Sequence, residues 1–439
     1  MKEVIGYLVV DTKSDRTDNV GGDVVKRVLQ RAGYDVVDCD PGNIDNYRLV
    51  LLSIPSTYQI IDILRAAIKY GWLNRKCKIL VGGFGCQNIS AISDYVDFAY
   101  YGRAHVDIAS VVQDILITGR TDNKHVLTMA FPRPTVVNTA APLFSDNVLA
   151  ESFTGCRNMC KFCHYAHVRS LQGTAGSGYV QSLLTSGNSP EVLLKDIVKM
   201  TDKPGRIRTA IDGFSERLRF LFGKKIHNND IVNAINHLGS LKESRLAIQL
   251  NLFGGKEIVG KKETVVAMVY NIGSFPTETE YDERELEITI GQCNPRERVI
   301  FIVHTTPFRP SLLTPMQWAP VRLFPEWSGK REHVICDKPT LLSKYSYTLE
   351  GAFSHACSVV IDRYGIYGDD QRILDAILHA KGGRSFDKAV YLLDNGAQKY
   401  LEELPVNVDP LPYVSLPPGK QHLRRMGEKL SEKYQSGYD

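Results

Sequence analysis

The chain has 439 residues, of which 43% are hydrophobic and 23% are charged, and its formal net charge is +4. These values are ordinary for a globular protein and predict two or three domains. No run approaches the roughly 20 apolar residues of a membrane helix, and the first residues lack the pattern of a signal peptide. The weak positive charge neither demands nor excludes a nucleic-acid partner.

The first region, residues 1–125, alternates short β-branched runs with amphipathic stretches. This alternation predicts a Rossmann-like parallel sheet covered by helices. Strands are predicted at 4–10, 34–39, 49–53, 78–81 and 96–100, and helices at 21–32 and 56–70. Each strand ends in a loop rich in Gly, Ser or Asp, and open α/β sheets bind ligands along that edge.

Residues 126–146 have little periodicity and are interpreted as a linker. Repeated strand–helix units over 147–335 predict a full or partial parallel (β/α) barrel with its chemistry at the carboxyl ends of the strands. Its strands are predicted at 179–185, 207–211, 246–252 and 298–304, and its helices at 189–200, 229–238 and 264–273. Residues 336–439 are interpreted as a helical C-terminal domain and tail, with helices at 348–362 and 370–380. The basic excess near the end predicts a solvated helix face or a contact with phosphate groups.

Three cysteines, Cys156, Cys160 and Cys163, lie on one short stretch with the spacing C-x3-C-x2-C. Thiolates are soft ligands, so three of them can hold three corners of a [4Fe–4S] cluster and leave one iron open. A structural zinc site and three inert thiols are the alternatives; zinc needs a fourth ligand, for which the adjacent His164 is poorly placed. The other six cysteines are scattered singly and predict no disulfide framework, which favours a reducing, cytoplasmic location.

The cysteine spacing, with Phe162 before the last cysteine, resembles the radical S-adenosylmethionine (SAM) superfamily. The resemblance implies that SAM binds the open iron and that its reductive cleavage releases a 5′-deoxyadenosyl radical. It also implies that Phe162 packs near the adenine of SAM. The stretch 213–219 and the stretch 306–318 are similar to segments of radical SAM enzymes that carry a cobalamin-type front domain. In that group Ser215 and Glu216 fall near SAM, and Ser186 and Gly187 occupy a loop that can contact it. An ordinary helix cap with a first-turn acid also explains Ser215 and Glu216.

The first domain resembles the cobalamin (vitamin B12)-binding domain of the same group. The resemblance implies cobalamin contacts at Ser53, Gly82 and Gly83, although tight turns explain the two glycines equally well. One departure is that loop 11–21 lacks the histidine that ligates cobalt from below in the usual motif. Either cobalamin binds without a protein ligand beneath it, or only the shell of the domain remains.

These features predict an enzyme in which the radical abstracts hydrogen from an organic substrate of unknown class. The alternative reaction is a cobalamin-dependent methyl transfer to a nucleic-acid base or a small metabolite. The partner implied by the cofactor is an electron donor such as flavodoxin or ferredoxin. No catalytic residue is assigned; candidates that structural roles explain as well are Tyr165, His164, His167 and Cys293. A second departure from the superfamily is that no Gly-Gly-Glu, which holds the SAM amino group in many of its barrels, follows the cluster loop. Only about 43 residues separate Cys163 from Ile207, which leaves open whether a strand–helix unit is missing and whether the barrel closes. A hypothesis of another class is a non-catalytic nucleic-acid-binding protein with a structural metal.

Overall fold

The fold was analysed in a computed structural model. It describes residues 3–10, 20–55, 57, 59–136, 153–154, 159–168, 172–173, 207–210, 215–240, 264–294, 298–322, 333–334, 341–346, 349–367, 371–379, 393–415 and 420–435.

The first sheet contains all five strands predicted for the front domain, together with a sixth. Their bounds are β1 (Val4–Val9), β2 (Asp35–Asp38), β3 (Leu49–Ser53), β4 (Lys78–Gly82), β5 (Phe98–Tyr100) and β6 (Val126–Thr128). The order is β2-β1-β3-β4-β5-β6, with β1 to β5 parallel and β6 antiparallel to β5. The sheet therefore extends past residue 125, into the segment predicted to be a linker.

Helices cover both faces of this sheet: α1 (Val20–Arg31), α2 (Gln59–Lys69) and α3 (Ala104–Thr118). Side chains alternate along β1, because successive residues of a strand point to opposite faces. Ile5 and Tyr7 pack in the apolar cluster that includes side chains of α1 and α3, and Leu8 packs in the cluster that includes α2. The chain leaves β1 for β2 and then returns to β3 on the other side, so the edge between β1 and β3 is a topological switch point.

The second sheet has the order β10-β11-β12-β14-β13. Its strands are β10 (Ile207–Ala210), β11 (Thr264–Gly273), β12 (Arg298–Pro307), β13 (His333–Val334) and β14 (Leu341–Ser346). All pairs are parallel except β13 with β14. The strand–helix pattern of the region is thus present, while the strands predicted at 179–185 and 246–252 and the helix at 189–200 lie outside the described residues. Closure into a barrel stays a prediction.

The prediction of a helix at 264–273 was wrong, because this segment is the long strand β11. It pairs with β12 along its whole length, from Thr264 opposite Arg298 to Gly273 opposite Pro307. A strand in the middle of a parallel sheet is buried on both faces and reads as a continuous apolar run, which periodicity alone does not distinguish from a buried helix.

The remaining elements surround the second sheet and the cysteine loop. The helices are α4 (His164–Val168), α5 (Glu216–Leu221), α6 (Asn228–Ser240), α7 (Glu280–Gln292), α8 (Leu349–Arg363), α9 (Gln371–His379), α10 (Gln398–Leu401) and α11 (Lys420–Gln435). Two short pairs complete the described strands, namely β7 (Thr135–Val136) with β15 (Val414–Ser415), and β8 (Phe153–Thr154) with β9 (Gln172–Gly173). The predicted helices at 229–238, 348–362 and 370–380 are confirmed as α6, α8 and α9.

The front domain packs directly against the C-terminal helices. One apolar cluster joins residues of α2 and β3 with residues of α8, α9 and the stretch 312–318. The amide of Asn88 donates to the backbone carbonyl of Asp362 at 2.6 Å across this boundary. At the end of α8 the buried guanidinium of Arg363 donates to four backbone carbonyls, those of residues 317, 319, 400 and 402. The carboxyl edge of the first sheet is therefore held at a fixed position relative to the second half of the chain.

Candidate functional site

The cysteine loop is bracketed by the antiparallel pair β8–β9, in which Phe153 lies opposite Gly173. Within this loop Cys160 is buried and Cys163 is partly exposed. The Cys163 N–H donates to the Cys160 carbonyl at 3.0 Å, which closes a tight turn. Met159 enters this turn with a φ of 47°, a left-handed conformation that is uncommon outside glycine. The local backbone thus brings two of the three predicted cluster ligands onto one turn, and Cys156 lies outside the described residues.

Lys161, between these two cysteines, fixes the loop to the second half of the chain. Its N–H donates to the Phe222 carbonyl at 2.8 Å and its ammonium donates to the Leu221 carbonyl at 2.7 Å. Its own carbonyl accepts from the Met316 N–H at 3.2 Å. The end of α5, just after the stretch 213–219, and Met316 of the stretch 306–318 therefore meet at the cysteine loop.

Behind this contact lies a buried polar network centred on Asp282. The Ser215 hydroxyl donates to Asp282 at 2.5 Å and accepts from the Leu218 N–H, so Ser215 is the N-cap of α5. Arg217 donates to both carboxylate oxygens of Asp282, at 2.5 and 3.2 Å. Thr279 forms a reciprocal capping box with Asp282 at the start of α7. Burial raises the pKa of Asp282, but the hydrogen bonds from Arg217, Ser215 and Thr279 outweigh it, and the net pKa shift is downward.

Glu216, the other predicted SAM contact on α5, is held by the beginning of α6. Its carboxylate accepts from the Asn228 N–H at 2.6 Å and from His227 Nδ1 at 3.0 Å. Burial raises the pKa of Glu216, but these hydrogen bonds and the charge of His227 lower it below its ordinary value. Ser215 and Glu216 thus both make hydrogen bonds that stabilise the beginning of a helix. Their predicted contact with SAM stays a prediction. Ser186 and Gly187 lie outside the described residues.

Phe162 packs beside Phe275, with ring centroids 5.6 Å apart. Phe275 stacks on Phe222 at 4.5 Å and lies 5.2 Å from Phe308. These rings form one apolar cluster with Met316 under the cysteine loop. Phe162 is partly exposed at the edge of the cluster, and its predicted contact with the adenine of SAM stays a prediction.

A cavity of about 510 Å³ lies at the carboxyl edge of the first sheet. This volume is within the range of cofactor and small-molecule sites. The three predicted cobalamin contacts all line it: Ser53 at the end of β3, and Gly82 and Gly83 at the end of β4. The position agrees with the rule that open α/β sheets bind ligands at the switch point of the strand order.

Gly82 and Gly83 are required for different reasons. A Cβ on Gly83 would lie 2.6 Å from the Ile54 carbonyl oxygen, and Gly83 has a φ of +109°, so glycine is needed there for the turn itself. A Cβ on Gly82 would meet no atom closer than 3.9 Å, on Tyr100. The fold would therefore tolerate a side chain at Gly82. Because glycine has none, space remains beside the cavity, and a ligand can approach the backbone there.

The opposite wall of the cavity comes from the cysteine loop. His164, directly after Cys163, lines the cavity together with Leu313. His164 Nδ1 lies 2.9 Å from the Leu312 carbonyl, and since a carbonyl can only accept, Nδ1 carries the proton. The ring contacts Phe84 edge-to-face at 4.9 Å. A single cavity is therefore bounded by the front sheet on one side and by the residue after a predicted cluster ligand on the other.

His167 supports the same loop from within. Its Nε2 lies 3.1 Å from the Cys160 carbonyl and donates to it. Burial lowers the pKa of His167 to about 4, the Cys160 carbonyl opposes this, and His422 lowers the pKa further. The ring is therefore neutral at pH 7 and holds the backbone of Cys160.

The described residues allow a partial test of the zinc alternative. Among them, no group of three or more His, Cys, Asp or Glu side chains could hold a metal ion. Neither His164 nor His167 therefore completes a zinc site with Cys160 and Cys163. A ligand set of thiols alone, completed by Cys156, suits an iron–sulfur cluster.

Two other candidates gain no role from their positions. Cys293 ends α7, where its thiol contacts the Thr289 carbonyl at 3.4 Å. The side chain of Tyr165 lies outside the part of the chain that the structure describes.

Gly21, Gly22 and Phe84 are among the cavity residues that were not predicted from the sequence. The two glycines lie in the first turn of α1, directly after the loop that follows β1. A glycine pair at a helix start after a first strand is a signal for close approach of a ligand, and could have been used. Phe84 carries no comparable signal, because its position depends on the contact with His164.

No protein-family model and no curated protein sequence matches the chain. Among solved structures, the chain is similar to TsrM from Kitasatospora setae, a radical S-adenosylmethionine methyltransferase with cobalamin and a [4Fe–4S] cluster bound. The identity is 13% and the TM-score 0.47, and the alignment covers 100% of both chains. It is also similar to OxsB, a cobalamin-dependent S-adenosylmethionine radical enzyme, with aqua-cobalamin and S-adenosylmethionine bound. There the identity is 12% and the TM-score 0.31, over 100% of this chain and 62% of OxsB.

Among the helices that the structure describes, none has the length and apolar character needed to cross a membrane.

Proposed function

We propose that the chain is a radical SAM enzyme whose front domain holds cobalamin against the cysteine loop, and that it transfers a methyl group to an organic substrate. The observation that carries this proposal is the shared cavity, because Ser53 and Gly82 form one wall and His164 forms the other. A ligand in that cavity lies between the front sheet and the turn that carries Cys160 and Cys163. Such a site suits a cofactor that works together with the cluster.

The residues that would hold the cluster are Cys156, Cys160 and Cys163. A [4Fe–4S] cluster with an open iron supplies the electron for SAM cleavage when it is bound. The protein holds the cysteine turn in two ways: Lys161 donates to the Leu221 carbonyl at the end of α5, and His167 donates to the Cys160 carbonyl within the turn. The aromatic cluster below Phe162 excludes water from that side of the loop.

Cobalamin would be held by residues at the ends of β3 and β4 and in the first turn of α1. Bound cobalamin supplies a carrier for a methyl group. Gly82 leaves the backbone of β4 accessible, and Tyr7 and Leu51 supply an apolar wall. Among the described residues that line the cavity, the imidazole of His164 comes from the cysteine loop, and the sheet contributes none. We therefore propose that the front sheet would hold cobalamin without contributing a histidine to it.

The second candidate function is hydrogen abstraction by the 5′-deoxyadenosyl radical, the reaction that the sequence analysis favoured. The observation in its favour is the same lack of a sheet histidine among the described lining residues. In this case the front domain would bind the substrate in its cavity or have a purely structural role.

Adding cobalamin to the chain and measuring retention of its visible absorbance after gel filtration tests the site. Gly82→Val should fill the open space beside Tyr100 and weaken cobalamin binding at least about tenfold. Gly291→Val is the matched control, since a Cβ at Gly291 also finds open space but Gly291 does not line the cavity. Equal binding by wild type and Gly82→Val would reject the assigned site.

Product analysis then separates the two reactions. The chain with a reconstituted cluster is given SAM and dithionite, with and without cobalamin. S-adenosylhomocysteine that requires cobalamin supports methyl transfer. 5′-Deoxyadenosine formed equally well without cobalamin supports hydrogen abstraction instead and contradicts the leading proposal.

A further inference from the structure

One stretch of the second half of the chain, residues 308–319, contacts both the cavity and the cysteine turn and is called the strap below. Its Leu312 carbonyl accepts from His164 Nδ1 at 2.9 Å, and the next residue, Leu313, lines the cavity. Further along, a backbone N–H of the strap donates to the Lys161 carbonyl at 3.2 Å. The strap therefore joins one wall of the cavity to the loop that carries the predicted cluster ligands.

The strap is fixed near both ends by two adjacent residues of α8. At its start Arg309 donates to the buried carboxylate of Asp362, through Nε at 3.1 Å and also through Nη2. At its end Arg363 donates to the carbonyls of Gln317 and Ala319, at 3.3 and 2.6 Å. Because α8 also packs against the front domain, the strap cannot move away from the cavity without breaking these contacts.

Leu313 has a backbone conformation that leucine rarely adopts. Its φ is 60°, in the left-handed region, and its N–H is held there by the Gln317 side chain, which accepts from it at 3.1 Å. Burial alone does not require this conformation. Leu312 is 1% exposed in the same apolar cluster and is not among the described residues with a positive φ. Strained residues cluster at ligand sites, so the strain indicates that the placement of the Leu313 side chain in the cavity matters.

The Leu313 side chain belongs to the smaller of the two cavity walls. Among the described residues that line the cavity, the front domain supplies all but three, which are His164, Val168 and Leu313. All three are buried, so this wall is closely packed from behind and has little room to yield. A group that a ligand in the cavity presents toward the cysteine loop therefore has to fit beside them.

We propose that Leu313 is a specificity-determining residue, which limits the size of the group that a cobalamin can carry toward the cysteine loop. A methyl group or a water molecule fits beside the isobutyl group, whereas the 5′-deoxyadenosyl group of adenosylcobalamin, with its adenine and ribose, collides with it. Specificity then comes from a clash with the wrong ligand rather than from an added contact with the right one. A cobalamin that carries the larger group has no position for a methyl group, so its exclusion keeps the site available for methyl transfer. The inference rests on the proposed function, in which cobalamin occupies this cavity.

The test compares the affinities of methylcobalamin and adenosylcobalamin for the full chain. Both are measured by equilibrium dialysis in the dark, without SAM or reductant, so that the readout is binding rather than turnover. Leu313→Gly removes the isobutyl group and relieves the backbone. Leu312→Ala is the matched control, because it truncates an adjacent and equally buried leucine that is not among the residues lining the cavity.

Urea unfolding of Leu313→Gly and Leu313→Ala tests the strain without any cobalamin. Both variants lack the isobutyl group, but only glycine accepts a φ of 60° without strain, so Leu313→Gly should have the higher midpoint in urea. The opposite order would show that Leu313 is unstrained and would overturn the inference.

Wild type should bind methylcobalamin at least about tenfold more tightly than adenosylcobalamin, and in Leu313→Gly this ratio should fall below about threefold. Leu312→Ala should keep the wild-type ratio. A wild-type ratio near one, a ratio that Leu313→Gly leaves unchanged, or an equal fall in Leu312→Ala would overturn the role of Leu313 and leave the proposed cobalamin site standing. Binding of neither cobalamin by wild type would reject the proposed function, and this inference with it.

Discussion

Replacing Asp282 with alanine should destabilise the fold and loosen the cysteine loop. The Asp282 side chain is 1% exposed and accepts hydrogen bonds from Ser215, Arg217 and Thr279. Removing one partner of a buried ion pair costs about 3–5 kcal/mol. Arg217 is 33% exposed, so water can take over part of its hydrogen bonding, and the low end of the range, about 3 kcal/mol, applies.

Asp282→Ala should also weaken cluster binding, because the hydrogen bonds around Asp282 hold α5 in place. Ser215 caps the start of α5, and the Leu221 and Phe222 carbonyls at its other end accept from Lys161 in the cysteine turn. Asp282→Ala should therefore bind less iron per chain after reconstitution than wild type does. Asp282→Asn keeps one acceptor oxygen and should have an intermediate effect.

The pH dependence of the same variant provides a second signature. The folded-state pKa of Asp282 is lowered, so its contribution to stability is present above the unfolded pKa of about 3.9 and is lost as pH falls through the folded pKa. The stability difference between wild type and Asp282→Ala should be constant from about pH 5 to 7 and shrink below about pH 4.

Urea unfolding at several pH values measures both effects, with iron content as the functional readout. Glu280→Ala is the matched control on the same helix, because Glu280 is 88% exposed and pairs with Arg284 at 3.5 Å. It should cost less than about 0.5 kcal/mol. A loss below 1 kcal/mol for Asp282→Ala, or normal iron content in a destabilised variant, would refute the reasoning.

Two further substitutions test the packing around the site. Gly83→Ala should cost at least about 2 kcal/mol, because its Cβ meets the Ile54 carbonyl at 2.6 Å and its φ of +109° is strained for alanine; a midpoint in urea equal to that of wild type would contradict this. Arg363→Met should cost more than about 3 kcal/mol, because it leaves four buried carbonyl acceptors without their donor. Thermal unfolding checks it, and a Tm within 2 °C of wild type, about 1 kcal/mol or less, would show that the acceptors find other donors.

The first domain was predictable because its elements follow local patterns. The strands at 4–10, 49–53 and 78–81 have the β-branched runs and flanking turn residues that periodicity detects. The ends of the last two place Ser53 and Gly82 on the ligand edge. The error at 264–273 has the same origin. The stretch 264–273 is a nearly continuous apolar run, as is typical of a central strand of a parallel sheet, so the alternation that identifies a half-exposed strand is missing.

The cavity wall formed by His164 could not be predicted from sequence. The residue was visible beside Cys163, but its contact with Phe84 depends on how the front domain packs against the rest of the chain. Likewise, the sequence of α11 does not show that Leu430 packs under the cysteine loop. Ser215 was partly predictable. Its role as a helix N-cap was one of two stated alternatives, but its hydrogen bond to Asp282, 67 positions away in the sequence, could not be predicted.

The most direct test of the central claim is the nucleoside product of the reconstituted chain. The chain is loaded anaerobically with iron and sulfide, its iron content and absorbance near 400 nm are recorded, and SAM, cobalamin and dithionite are added. We expect a brown protein with about four irons per chain. We also expect S-adenosylhomocysteine that requires cobalamin and vanishes in Cys160→Ala. A colourless, zinc-loaded protein, or products that persist in Cys160→Ala, would contradict the central claim.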